Sequence, residues 1–271
     1  METSRHEIRP RNPGLTFASI PRHWFAGSPL FTHMANGVNL VFPDGERFFV
    51  RSVRYYLDRI QDDPELLAQV KGFAGQEGRH AKAHEDFFDA LRAQGYDLDK
   101  FMKWYRKISY EWLEKAAPPA LRLSATAALE HFTATMAENV FTERYLDEAD
   151  PTMARLMYWH AAEEIEHKAV AFDVLKRVHP SYALRVGGMV IAATLLAGFW
   201  VAGTSTLLAQ DRAAGIDTRP GPRERERGQE GRIARTVFLR GIREYLRPDF
   251  HPLQNDNLHV AREYLASAGL A

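Results

Sequence analysis

Two long segments of this chain carry glutamate and histidine on the helix face that should be oily. From Asp63-Pro64 to about Ala93, apolar positions recur in steps of three and four: Leu66, Val70, Phe73, Phe87 and Leu91. Such steps stack on one side of a helix. The same line runs through Glu77, His80 and His84, whereas Arg79 and Lys82 fall on the other side. From Pro151 to about Val178 the pattern returns as Met153, Leu156, His160, Glu164, His167, Ala171 or Phe172, and Val174. Two further helices each direct one glutamate inward. Glu46 shares a line with Phe49, Val53, Tyr56 and Ile60, and Glu130 with Leu123, Ala127, Ala134, Ala137 and Phe141.

An ionised carboxylate buried without a partner costs several kcal/mol or takes up a proton. No lysine or arginine lies on these four lines. Two divalent metal ions would supply the matching charge, and neutral imidazoles would complete the coordination. One Glu from each of two helices plus Glu-x-x-His from each of two others is an established way to build a two-metal site in a helical bundle. Residues three apart on a helix lie about 5–6 Å apart at Cβ, so both reach one metal region. A bare Glu-x-x-His pair is weak; the weight comes from its order and stripe placement: Glu46, Glu77-x-x-His80, Glu130, Glu164-x-x-His167.

The chain has no cysteine, which excludes disulfides, thiolate ligands and iron–sulfur clusters. A carboxylate and imidazole donor set suits iron, manganese or zinc. Net charge is zero, giving no electrostatic case for nucleic acid, and 45% hydrophobic residues suffice for a sizeable core. The N-terminus, with Glu2, Arg5, His6, Glu7 and Arg9, lacks the apolar stretch of a secretory signal, so a cytoplasmic location is the default expectation.

The expected fold is all-α. Proline punctuates helix starts at Pro43, Pro64, Pro118-Pro119 and Pro151, giving helices at about Gly45–Ile60, Pro64–Ala93, Pro119–Tyr145 and Pro151–Val178. Shorter helices are expected over Pro29–Leu40 and Leu98–Lys115. Val186 to Gln210 is an uncharged apolar run long enough to span a bilayer. It reads equally as a core or interface helix and as a span of, or in-plane contact with, the inner membrane; basic residues on both sides (Lys176, Arg177, Arg185; Arg212, Arg219, Arg223) leave its orientation open. The expected division is a metal-binding bundle over 1–180, an apolar helix over 181–210, a linker over 211–232 and a small helical tail over 233–271.

At the residues above, the sequence resembles the ferritin-like non-haem di-iron superfamily. Pro43-Asp44-Gly45-Glu46-Arg47-Phe48-Phe49, Gln76-Glu77-Gly78-Arg79-His80 and Glu163-Glu164-Ile165-Glu166-His167 look like a bacterial family of predicted metal-dependent hydrolases, over residues 5 to 265. His160 stands one turn before the second Glu-x-x-His. Di-iron oxygenases of the p-aminobenzoate N-oxygenase type are similar, with three histidines and four glutamates and the extra histidine at that position. The resemblance implies a ferritin-like four-helix bundle with seven ligands: Glu46, Glu77, His80, Glu130, His160, Glu164 and His167. It further implies two iron ions, with manganese or zinc as alternatives, and activation of O2 to oxidise a small molecule; membrane contact by Val186 to Gln210 would favour an apolar one. The electron donor would be external, because no dinucleotide fingerprint is present; Gly187-Gly188 is too little. The alternatives are a hydrolase that activates water between two metals, and a non-catalytic iron or oxygen handling protein.

Other residues carry weaker expectations. His84 and Asp173 read as side chains behind the ligands, Asp173 orienting a ligand imidazole. Glu138 would line the pocket or face water. His131, about 100° from Glu130 around the helix, is expected to be unrelated. Glu163 and Glu166 should face solvent or pair with basic residues, Tyr158 and Trp159 should pack, and Arg243, Tyr245 and Arg247 should form a solvated face. Substrate and oligomeric state are not written in the sequence.

Overall fold

The computed structural model describes residues 6–222, 225 and 232–271. Among them the fold is all-α, with no strand; one isolated bridge joins Phe25 to Ala149. Four helices form the frame: α2 (Phe42–Arg54), α3 (Pro64–Ala93), α6 (Pro119–Thr142) and α7 (Pro151–His167). α2 packs on α3 and α6 on α7, while α3–α7 and α2–α6 contacts close the ring. Around it lie α1 (Pro29–Asn39), α4 (Asp99–Arg106), the short α5 (Glu114–Ala116), α8 (Val170–Val178), α9 (Tyr182–Ala213), α10 (Arg240–Tyr245) and α11 (Leu258–Ser267).

Local chemistry sets the starts of the frame helices. Asp63 accepts from the Leu66 N–H at 2.8 Å, and Asp150 from the Thr152 N–H at 2.9 Å, each with proline in the first turn. Side-chain oxygens at these positions satisfy amides the helix leaves unpaired. Three boundaries differ from expectation. α2 starts at Phe42 and stops at Arg54, with a 3₁₀ turn over Leu57–Arg59. The α4 helix continues as a π-helix over Lys107–Leu113. The Pro151 segment breaks after His167 instead of running to Val178. There Lys168 turns inward, donating to the Asn255 carbonyl at 2.5 Å and Asn257 Oδ1 at 2.6 Å.

α9 covers the whole apolar run and extends it to Ala213, into the segment expected as linker; residues 223–224 and 226–231 of that segment, Arg223 included, lie outside the described residues. By length and composition α9 could cross a membrane, yet it lies along α1 and α6, and 33% of its most apolar window is buried. Gly188 permits the approach to α6: a Cβ there would stand 2.1 Å from Ser124 Oγ. The opposite flank of α9 is open, with Val190 60% and Val201 66% exposed.

The C-terminal end of α9 is tied down by the buried Asp211. Arg22 Nη2 and the Tyr96 hydroxyl both donate to its Oδ1 at 2.8 Å, and His23 and His33 each place Nε2 2.7 Å from Oδ2. Burial alone would push the Asp211 carboxyl up, but these donors hold it well below the usual range. No sequence pattern marks this knot, because its members come from four separate segments.

The tail is anchored rather than solvated. Tyr245, expected on a wet face, is fully buried beneath Arg185, while Arg243 and Arg247 are exposed.

Candidate metal centre

The four frame helices bring Glu46, Glu77, His80, Glu130, His160, Glu164 and His167 into one buried cluster. None is more than 4% exposed. Their donor atoms form overlapping triads, each within 4.8 Å: Glu46–His80–His160, Glu77–His80–Glu164 and Glu77–Glu130–His167. His167 Nε2 lies 3.1 Å from Glu77 Oε1 and 3.4 Å from both Glu130 Oε2 and Glu164 Oε2. His160 Nε2 is 2.8 Å from Glu164 Oε1 and 3.7 Å from Glu46 Oε1.

Which atoms are left without hydrogen bonds decides what the cluster is for. Both carboxylate oxygens of Glu46, Glu77 and Glu130, together with Glu164 Oε2, His80 Nδ1 and His167 Nε2, are buried and make none. Buried polar atoms in folded proteins are nearly always partnered. Here the orphans face one another. The opposite ring nitrogens, by contrast, are engaged. His80 Nε2 stands 2.9 Å from Glu163 Oε2, and His167 Nδ1 stands 2.8 Å from Gln76 Oε1. If those nitrogens carry the protons, the inward nitrogens present lone pairs, as metal-binding imidazoles require. The donor set of carboxylates and imidazoles therefore fits divalent ions of the iron, manganese and zinc kind.

Electrostatics points the same way. Burial, reinforced by the neighbouring carboxylates, pushes Glu46 and Glu77 well above the carboxylate range. Burial raises Glu130 to about 7, against the pull of the His167 ring 3.4 Å away. Burial drives His80 and His84 well below the usual imidazole range. In the absence of other cations His167 takes the opposite course: burial would lower it, but Glu164, Glu130 and Glu77 raise it well above normal. The converse holds for Glu164, which burial would raise but His167 and His160 hold well below. A proton on His167 is thus the chain's own partial answer to a surplus of negative charge.

A layer behind the cluster was not legible in full. Of the two places expected for Glu163 and Glu166, solvent or a basic partner, they take the second: both are buried and pair with Arg11. The guanidinium reaches Glu166 Oε2 at 2.6 Å and Glu163 Oε1 at 3.3 Å. Gln76 bridges His167 to Glu166 Oε2, the latter at 2.8 Å. Arg11 arrives on the N-terminal segment, which lies over α3 at Gly72, where a Cβ would stand 2.3 Å from the Ile8 carbonyl oxygen. Burial lifts Glu163 to about 7 despite Arg11.

His84 places Nε2 2.7 Å from His160 Nδ1. Asp173 does not reach an imidazole of the cluster; the ring it holds is His251, at 2.8 Å. Glu138 is half-buried and turned to Arg240, at 2.8 Å, and to Asn257. His131 packs under the tail, Nε2 3.0 Å from the Gly241 carbonyl. Tyr158 stacks among Phe141 and Tyr264, and Trp159 sets its ring edge-on to His80 at 4.8 Å.

A cavity of 160 Å³ reaches the cluster at His160 and Glu164, walled by apolar side chains including Phe31, Val38, Phe42 and Met157.

Fold and site together define an all-helical protein with a buried carboxylate–imidazole cluster able to hold metal ions. The chain belongs to the family described as predicted metal-dependent hydrolases, whose model matches residues 9–256. Comparison with curated proteins and with solved structures gave no match.

Proposed function

We propose that the protein is a two-metal hydrolase acting on an apolar small molecule, with Glu46, Glu77, His80, Glu130, His160, Glu164 and His167 as ligands. The observation that carries this is the set of orphaned inward atoms, seven carboxylate oxygens and two imidazole nitrogens, beside an apolar cavity. Bound divalent ions supply a Lewis acid and a water acidic enough to attack near neutral pH. The chain's own residues do the rest. Glu163 and Gln76 fix the rings of His80 and His167, Arg11 holds Glu163 and Glu166 in place, and Phe42, packed on His84 and His160, keeps water from the cavity side. On this reading the helical frame is of the ferritin-like kind, and the open flank of α9 lies against a membrane surface.

A second reading is oxidation by O2 at the same ligands with iron bound and an external electron donor. One observation favours it: apart from His160 and Glu164, the described lining of the cavity near the cluster holds no carboxyl, imidazole, lysine or arginine side chain to protonate a leaving group, only the weaker acid Tyr145. Loading separates the two. Zinc- or manganese-loaded protein should cleave acyl esters of apolar alcohols, while Fe(II)-loaded protein given O2 should show no new absorption band. O2 uptake with a new band, and no esterase activity with any metal, would install the oxidase instead.

A further inference from the structure

A second cavity, of 540 Å³, shares the side chains Phe42 and Thr133 with the cavity at the metal centre. Its walls are α2, the π-helical turn Lys107–Leu113, α6 and the flank of α9, contributed by residues such as Phe49, Leu113, Ala125, Val190, Leu195 and Phe199. Leu113, 42% exposed, and Val190, 60% exposed, place part of its wall at the protein surface. Polar groups along it are few: Glu114 accepts from Arg51 at 2.7 Å, the Tyr105 and Tyr110 hydroxyls pair at 2.5 Å, and Arg122, whose buried Nε makes no hydrogen bond, lies over the Tyr55 ring at 5.8 Å. π-Helical turns are uncommon and concentrate at functional sites. This fold has one beside each cavity, Lys107–Leu113 at the second and Ala234–Leu239, through Thr236 and Val237, at the first.

Size decides how the two spaces divide a ligand. An apolar cavity of about 150 Å³ holds one benzene. The 160 Å³ beside His160 and Glu164 therefore takes only a ring or a short stretch of chain, and the larger space takes more than three times as much. We propose that the substrate is a molecule with an unbranched alkyl chain, its reacting end at the metal cluster and its tail passing Phe42 and Thr133 into the cavity under α9. This deepens the two-metal reading and rests on it for the reaction, but not for tail binding. Phe42 is the gate: its ring touches His84 and His160 at centroid distances of 5.0 and 4.8 Å and borders both spaces.

The test uses neutral n-alkanols from hexanol to dodecanol, competed against a fluorescent polyene alcohol on the full chain, metal-free and metal-loaded. Burying a methylene is worth about 0.8 kcal/mol, so affinity should rise about fourfold per added methylene. Ala125→Trp fills the second cavity and should flatten that rise beyond the shortest alkanols without changing metal content. Ser109→Trp, on the π-helical wall, provides the same test if the first variant does not fold. Affinity independent of chain length, the full rise retained in both variants, or association with phosphatidylcholine vesicles but not with dispersed alkanol would each overturn the proposal. A normal series in protein that binds no metal would sink the two-metal reading and leave this one standing.

Discussion

At the scale of single residues, the proposed metal site rests on which ring nitrogen keeps its proton. His80 engages Glu163 through Nε2 and leaves Nδ1 bare; His167 engages Gln76 through Nδ1 and leaves Nε2 bare. Partners of this kind orient metal-bound imidazoles and typically account for a 10–100-fold effect on affinity. Glu163→Gln removes the charge behind His80 while leaving all seven cluster residues intact. Metal affinity, read by competition with a chromogenic chelator, should fall about 10–100-fold; an unchanged affinity would show that Glu163 does not set the His80 ring. The inward positions of Glu77 and Glu164 were legible because a charge on an apolar stripe is an anomaly any helix exposes. Glu163 and Glu166 were not, since residues flanking such a stripe look like surface until Arg11 is seen to cover them. Asp173 was misassigned because its imidazole partner, His251, comes from the C-terminal tail, far along the chain, where no helical spacing points to it.

At the scale of elements, α9 shows how one apolar sequence serves two faces. Its buried face needs close approach to α6 at Gly188, where any side chain would collide with Ser124. Gly188→Leu should destabilise the fold by about 1–3 kcal/mol in urea unfolding, as overpacking does. The end of the same helix depends on Asp211. Its carboxyl is depressed below the ordinary aspartate value, so its contribution is complete above a pH of about 3.9 and fades as pH falls through the folded value. Asp211→Asn should cost about 1.5–3 kcal/mol, the worth of a hydrogen bond to a charged group. The gap between wild type and variant should stay level from about pH 5 to 8 and narrow below about pH 4; a gap that instead opened on acidification would reverse the assignment. Helix starts were legible from Asp63-Pro64 and Asp150-Pro151. The Asp211 knot and the π-helical turns were not, because both are fixed by packing between distant segments.

At the scale of the whole molecule, the bundle is a device for holding negative charge in a dry interior. An uncompensated ion costs several kcal/mol there even after relaxation, and the cluster gathers four carboxylates around three imidazoles. Burial and mutual repulsion raise Glu46, Glu77 and Glu130, and the surrounding carboxylates raise His167, so each holds a proton more readily than it would in water. Metals would displace those protons and draw the four frame helices to a common centre. Elemental analysis of protein produced with iron, manganese and zinc available tests this most directly, counting bound metal per chain in wild type and in Glu77→Ala and His167→Ala. Two metal ions per chain in wild type, and no more than one in each variant, is the expected result. A wild-type chain that binds none, or variants that both keep two, would contradict it.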